Sequence, residues 1–195
     1  MVYIINGYPH SGKTYFARQV IDCMGEENAK LFSSVDTVKE IAYVAGWNGD
    51  KTPENRKFLS DLKKILVEWR DLPFQEACEK IKKIEYQWKV LNKDLNKCAI
   101  FIMCREPEEI ERFVEAFGAK TILIRSKESD KISNSSDANV ENYIYDFEIF
   151  NPMTEDIFFA IDDFIKSENL YYLFSKKKRN KIYTAIRKSQ MKGSL

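Results

Sequence analysis

A three-layer α/β/α sandwich on a mostly parallel, five-stranded sheet is predicted by three features of the sequence. Short apolar runs alternate with helical patterns along the 195 residues. The run from Cys98 to Cys104 is apolar throughout, as a central parallel strand covered on both faces must be. A glycine-bearing turn joins the first apolar run, Val2 to Ile5, to a helical pattern, and in an open α/β sheet such a turn lies at the carboxyl edge, where ligands bind.

The first strand covers 2–5, and the helix behind the turn covers 14–24, with Phe16, Val20 and Cys23 or Met24 on one face and Gly25 as its stop. A second parallel strand follows at 29–33. Ser34 or Asp36 is placed to cap a helix running to about residue 45, in which Val38, Ile41 and Ala42 share a face. Two glycines and a proline within 46–53 break that helix, and Thr52 caps the next one with Pro53 at its first position. This helix, to about residue 70, is expected to bury Leu59, Leu62, Ile65, Leu66 and Trp69. Another after Pro73 carries Phe74, Ala77, Cys78, Ile81, Ile84, Trp88 and Leu91 on one stripe.

Residues 34–95 are thus almost wholly helical between two strands, far more than one crossover needs, and are the expected place of an inserted substrate-binding region. After strand 98–104 come Arg105, Glu106 and Pro107, then a helix with Ile110, Phe113, Val114 and Phe117 inward and Gly118 as its stop. Strand 121–125 ends on Arg125, so Arg105 and Arg125 reach the same sheet edge as the glycine turn. The polar, aperiodic stretch 126–142 reads as a lid loop over that edge, 143–150 as the last strand, and Thr154 as the cap of a helix burying Ile157, Phe158, Ile161, Phe164 and Ile165. One domain over 1–166 and a basic tail over 167–195 complete the layout.

The turn itself, Gly7 to Thr14, is a complete G-x-x-x-x-G-K-T sequence. Glycines at the fixed positions let backbone N–H groups converge at a helix start, where unpaired amides and the helix dipole both favour an anion. Lys13 is placed to reach the β- and γ-phosphates of a nucleoside triphosphate, and the Thr14 hydroxyl to ligate Mg²⁺. The nucleotide-binding set is Gly7, His10, Ser11, Gly12, Lys13, Thr14 and Tyr15, with ATP and Mg²⁺ as the expected cofactors. His10 also reads as a variable position of such a loop. A carboxylate closing an apolar strand, as an ATP-driven motor uses, is missing.

The net charge of +1 conceals an uneven split: from Lys166 onward nine basic residues face one acid, Glu168. A tail of that kind is either a solvated end or a polyanion-binding arm, so nucleic acid stands as a secondary partner. The four cysteines, Cys23, Cys78, Cys98 and Cys104, are far apart without a C-x-x-C pair, and with one histidine they read as reduced thiols rather than a disulfide or zinc set. No apolar run approaches the ~20 residues of a membrane span, and the chain enters its first strand at once, which together predict a cytoplasmic protein without a membrane partner.

In these patches, over roughly residues 1–166, the sequence resembles the nucleoside monophosphate kinase group of P-loop proteins, most closely the phage-type deoxynucleoside monophosphate kinases. The matching stretches are Gly7 to Thr14, the opening of the second helix around Asp36 and Lys39, the segment 48–51 with Arg56, the strand-end Arg105 and the strand around Phe147 that ends at Asn151. The resemblance implies a P-loop NTPase fold and transfer of the ATP γ-phosphate to a (deoxy)nucleoside monophosphate. In that role Lys13, Arg105 and Arg125 are catalytic, and Asp36, Lys39, Lys51 and Arg56 hold the acceptor. The sequence departs from the group in its lid: 126–142 offers Lys127 and Lys131 where arginines are usual.

Read from the residues alone, each assignment keeps a second meaning. Arg105 and Arg125 also suit structural ion pairs, Lys39, Lys51 and Arg56 a solvated face, and Asp36 a plain helix cap. Other acceptors, dephospho-coenzyme A or a nucleoside, and a non-catalytic ATP-binding module whose tail engages nucleic acid, are the alternatives.

Overall fold

The computed structural model of the chain describes residues 1–50, 52–127, 139–154, 156–174, 180 and 182–186. Lys51, most of the expected lid (128–138), the basic run Lys176 to Arg179, and Arg187, Lys188 and Lys192 lie outside the described residues. The chain divides into two compact units, Met1–Leu31 with Lys93–Leu195, and Phe32–Asn92.

The first unit holds an α/β sheet whose strands run in parallel. Its strands are β1 (Val2–Asn6), β2 (Ala29–Ser33), β3 (Ala99–Met103), β4 (Lys120–Arg125) and β5 (Phe147–Phe150), in the order β2-β3-β1-β4-β5. The unit boundary falls within β2. Strand β1 is central, with Ile4 opposite Ile102 of β3 and Thr121 of β4. Leaving β1, the chain passes through α1 (Lys13–Met24) to the β2 edge, whereas from β3 it passes through α5 (Pro107–Phe117) across β1 to β4. Right-handed crossovers in opposite directions put α1 and α5 on opposite faces and open a crevice at the carboxyl end of β1.

Side-chain alternation agrees. Tyr3, Ile5, Phe101, Ile122 and Ile124 form one buried cluster with Phe16 of α1 and Phe164 of α6 (Ile157–Ser167), where Phe164 meets Tyr3 and Phe16 edge-on at 5.2 and 5.8 Å. The intervening residues Ile4, Ile100 and Ile102 are equally buried, and α5 packs on β1. Helix α5 starts at Pro107 and stops at Gly118, and α1 stops at Gly25, as their sequences specify.

The second unit carries α2 (Asp36–Val44), α3 (Pro53–Arg70) and α4 (Leu72–Val90). Thr52 caps α3 by accepting from the Asn55 N–H at 3.2 Å, and Pro53 opens it. Three expectations need correction. Ile65 and Trp69 are 60% and 66% exposed, and of the five residues expected inside α3 only Leu66 is buried, because that helix contributes a narrow seam instead of a broad face. Leu91 is exposed because α4 ends at Val90, whereas Ala77, Ile81, Ile84 and Trp88 are buried as the stripe requires. Helix α2 is not capped by Ser34 or Asp36: Val35 holds the cap position, and Asp36 turns back to accept from the Ser33 N–H at 2.8 Å.

The last strand is shorter than 143–150. Asp146 accepts from both the N–H and the hydroxyl of Thr121, at 2.7 and 2.9 Å, taking the ladder position, so pairing with β4 begins only at Phe147. Beyond α6 the chain stays on the first unit. Tyr171 and Leu173 donate from their backbones to Lys97 and Cys23 at 2.9 Å, Leu170 and Ile186 are buried, and the ring of Tyr183 stacks on Phe159 at 4.8 Å. No helix among the described residues is long and apolar enough to cross a membrane.

This carboxyl-terminal wrap converges on Asp162, which is fully buried and accepts from Lys166 and Tyr183, with Tyr172 beside it. Burial opposes ionisation of that carboxyl, but the donors around it, Lys166 first, prevail and hold it below the usual carboxylate range. Asp162→Asn should therefore cost ~2 kcal/mol, a fall of about 5 °C in melting temperature. A carboxyl depressed in the folded state stabilises above its unfolded value of about 3.9. The difference between wild type and variant should thus be full at neutral pH and shrink as pH falls through the folded value, measured by thermal melts across pH 2–7.

Candidate functional site

The turn from Gly7 to Gly12 runs from the end of β1 into α1 at the crevice. Its path is fixed by close approach. A Cβ on Gly7 would lie 2.4 Å from the Ile124 carbonyl oxygen and 2.9 Å from Ser11 Oγ, so only glycine lets the loop lie against β4. Gly12 holds the cap position of α1 in the left-handed region (φ 85°), where a Cβ would sit 1.9 Å from Asn151 Nδ2. The loop is stitched to the ends of four strands. Asn6 Oδ1 accepts from the Gly7 N–H at 2.8 Å, while its Nδ2 donates to the Arg105 carbonyl at 3.2 Å and to the Tyr145 hydroxyl at 2.8 Å. Asn151, 1% exposed at the end of β5, donates from Nδ2 to the Ser11 carbonyl at 3.1 Å and from its backbone to the Arg125 carbonyl at 2.7 Å.

The interior of the turn suits an anion. Helix α1 begins with no side-chain cap and no acid in its first turn, so its amides and dipole are left uncompensated by the chain. Ser11 Oγ is buried and has no hydrogen-bond partner among the described residues. Lys13 Nζ folds back over the loop, donating to the carbonyls of Gly7 and Tyr8 at 2.6 Å each. Thr14 and Tyr15 are exposed at the mouth, as is His10, whose φ of 62° lies in the left-handed region. Among the described residues no group of three His, Cys, Asp or Glu side chains could hold a metal. A magnesium ion here would depend on the Thr14 hydroxyl and on ligand oxygens, which is how this ion is commonly held beside phosphates.

Of the two strand-end arginines, Arg105 is half-buried at the end of β3, and Arg125 is fully engaged. Its Nη1 and Nη2 donate to the two oxygens of Glu141 at 2.6 and 2.7 Å, and its Nε donates to Glu148 at 3.0 Å. The Glu141 hydrogen bonds, then those to Glu148, hold the guanidinium still more firmly protonated. The Arg125 hydrogen bonds, with a further one from the Tyr8 hydroxyl, hold the Glu141 carboxyl below its usual range. Burial pushes the Tyr145 phenol up to about 12, so it remains a donor, to the Val140 carbonyl at 3.0 Å.

The expected acceptor residues belong to the second unit, save Lys51, which is outside the described residues. Lys39 pairs with Asp36 at 3.0 Å one turn away, so Asp36 serves both that lysine and the Ser33 amide. Arg56 lies exposed on the first turns of α3. Trp47 tilts against Tyr43 at 4.7 Å and donates to the Asp50 carbonyl at 3.0 Å, a packing role. A cleft of about 480 Å³ lies between α2 and α4, lined by Phe32, Ser34, Asp36, Thr37, Lys80 and Lys83 among others. Sequence reasoning left Asn6, Glu141, Tyr145 and Asn151 out of the site. The only local signal for two of them is an asparagine closing an apolar run, at Asn6 and at Asn151.

No protein-family profile and no curated protein sequence matches the chain. Solved structures similar to it include an uncharacterized protein from Eubacterium ventriosum, 17% identical over 87% of this chain and 98% of that one, with a TM-score of 0.48. A second is an unliganded sugar kinase from Janibacter sp., 15% identical over 85% and 92%, with a TM-score of 0.38. At that level of agreement neither assigns this chain a fold or an activity.

The steric reading of the loop is open to measurement. Gly12→Ala should cost about 1–3 kcal/mol, since it adds a collision with Asn151 to the left-handed backbone penalty. Gly118→Ala, also at positive φ but with nothing within 4 Å of its Cβ, carries only the backbone part, ~1 kcal/mol. Denaturant melts in which Gly118→Ala equals or exceeds Gly12→Ala would refute the close-approach argument.

Proposed function

We propose that this protein is an ATP-dependent phosphotransferase that passes the γ-phosphate to a (deoxy)nucleoside monophosphate. The observation that carries the reading is the interior of the Gly7–Thr14 loop: an uncapped helix start, a buried Ser11 hydroxyl with no hydrogen-bond partner among the described residues, and a lysine folded over the same turn. That combination is poor for a free-standing turn and well suited to a bound polyphosphate.

In this reading the loop amides and the α1 amino terminus bind the β- and γ-phosphates, and Lys13 exchanges the Gly7 and Tyr8 carbonyls for phosphate oxygens. The Thr14 hydroxyl would hold Mg²⁺, which when bound neutralises charge on the β- and γ-phosphate oxygens. Arg105 and Arg125 supply cations for the equatorial oxygens of the transferring group, a role that suits the planar guanidinium better than an ammonium. Asp36, Lys39, Lys51 and Arg56 are the proposed holders of the acceptor phosphate. Its oxygen attacks the γ-phosphorus, the bond to the β–γ bridging oxygen breaks, and ADP leaves. The protein's contribution is placement and charge stabilisation rather than covalent chemistry. The choice of a nucleoside monophosphate follows the sequence resemblance; the loop itself argues only for the nucleotide.

ADP release should be followed with Mg·ATP against a panel of ribo- and deoxynucleoside monophosphates, with products identified by mass. We expect a nucleoside diphosphate from at least one acceptor and a fall of about 10²-fold or more with Lys13→Ala at unchanged melting temperature. ATP binding that survives Lys13→Ala, or none in the wild type, would remove the nucleotide reading. Lys13-dependent ATP binding with no diphosphate from any monophosphate would remove the acceptor and leave the nucleotide.

A further inference from the structure

The chain already places an anion beside the nucleotide loop, and that anion is its own. Glu141 lies in the short helical turn Val140–Asn142, and its two oxygens receive both terminal nitrogens of Arg125 while one also receives the Tyr8 hydroxyl from the loop. The turn is fastened at further points. Val140 is fully buried, its carbonyl accepts from the Tyr145 hydroxyl, and that hydroxyl accepts from Asn6 at the root of the loop. Tyr143, next along, donates to Glu111 at 2.8 Å. A planar carboxylate across a guanidinium fork is the same recognition that a phosphate would receive from it.

We propose that Glu141 is an internal stand-in for a nucleotide phosphate, holding Arg125 and the Val140–Asn142 turn until polyphosphate takes its place. This rests on the ATP-binding reading above. Glu141 is then a positioning residue. It fixes the Arg125 fork at the loop, aimed where phosphate oxygens arrive, and it competes with them, so the affinity observed for ATP is reduced by the fraction of molecules in which the pair is closed. The pair is suited to exchange: Arg125 and Glu141 are 39% and 41% exposed, so solvent weakens their attraction, while a triphosphate offers greater charge to the same fork. Glu148 is the weaker keeper, since it touches only Nε and leaves both terminal nitrogens to Glu141.

The test is Mg·ATP affinity by calorimetry for wild type, Glu141→Gln, Glu148→Gln, Arg125→Gln and the Glu141→Gln/Arg125→Gln pair, each first shown folded by a thermal melt. Glu141→Gln should bind ATP about fivefold more tightly, and Glu148→Gln should gain less. The Glu141→Gln gain should fall below about twofold once Arg125 is Gln, because the two residues act through one contact. A residue with a merely structural role would not strengthen binding when removed. Hydrogen exchange on the wild type gives a second readout free of substitutions. The Asn142 amide, which donates to the Asn139 carbonyl at 3.1 Å, should exchange faster when ATP is saturating. Equal or weaker binding by Glu141→Gln, or exchange unchanged or slowed, overturns the inference. Lys13-dependent ATP binding that ignores Glu141→Gln leaves the nucleotide reading in place and removes only this one, whereas folded wild type and Glu141→Gln that both fail to bind ATP remove the two together.

Discussion

Everything proposed for this protein depends on how closely one loop can lie against a strand. The 2.4 Å that would separate a Gly7 Cβ from the Ile124 carbonyl is less than any real contact allows, so the turn can follow its path only as bare backbone. Once there, it is held by side chains that use the backbones of neighbouring strands as anchors: Asn6 on the Arg105 carbonyl, Asn151 between the Arg125 and Ser11 carbonyls. The sheet therefore sets the shape of the loop, and the loop sets where α1 begins. With no acid and no cap at that start, the first turn of α1 keeps its electrostatic demand for a ligand.

The loop's surroundings balance that demand with internal substitutes. Lys13 rests on loop carbonyls, and Arg125 rests on Glu141 and Glu148. Both cations are thus held at the crevice by partners of the chain's own, which avoids leaving unpaired charge in a partly desolvated place. Ser11 is different, because its hydroxyl is neutral and buried with no partner among the described residues.

Much of this organisation was legible because it is local. The loop motif, Gly25 and Gly118 as stops, Pro53 and Pro107 as first residues, and Thr52 as a cap each concern residues within four positions of one another, where backbone sterics and hydrogen bonding act without help from the fold. What was not legible is long-range. Ile65 and Trp69 have the spacing of a buried stripe, but burial depends on what packs there, and α3 is covered only along the seam of Leu66. The early part of 143–150 is apolar and aromatic enough for a strand, yet Asp146 takes the Thr121 N–H that a strand would have used. Glu141 in an acidic, polar stretch gives no sign of its role, since Arg125 lies 16 positions away and becomes its neighbour only through β4.

The central strand also has a consequence for how the chain is made. Strand β1 pairs with β3 and β4, Val2 with Ile100 and Tyr3 with Lys120, so the earliest of the five strands to be synthesised has no partner until about a hundred further residues have followed. At ~5–20 residues per second of synthesis, that run waits for at least several seconds with its hydrogen-bonding edges open. In the meantime Phe32–Asn92, continuous in sequence and almost wholly helical, emerges with its own short-range contacts. Early assembly of that stretch shortens the effective gap that β1 and β3 must close and keeps apolar sequence occupied while the sheet is incomplete. The helical stretch that separates the strands in sequence thereby has all of its internal contacts available before the sheet can close.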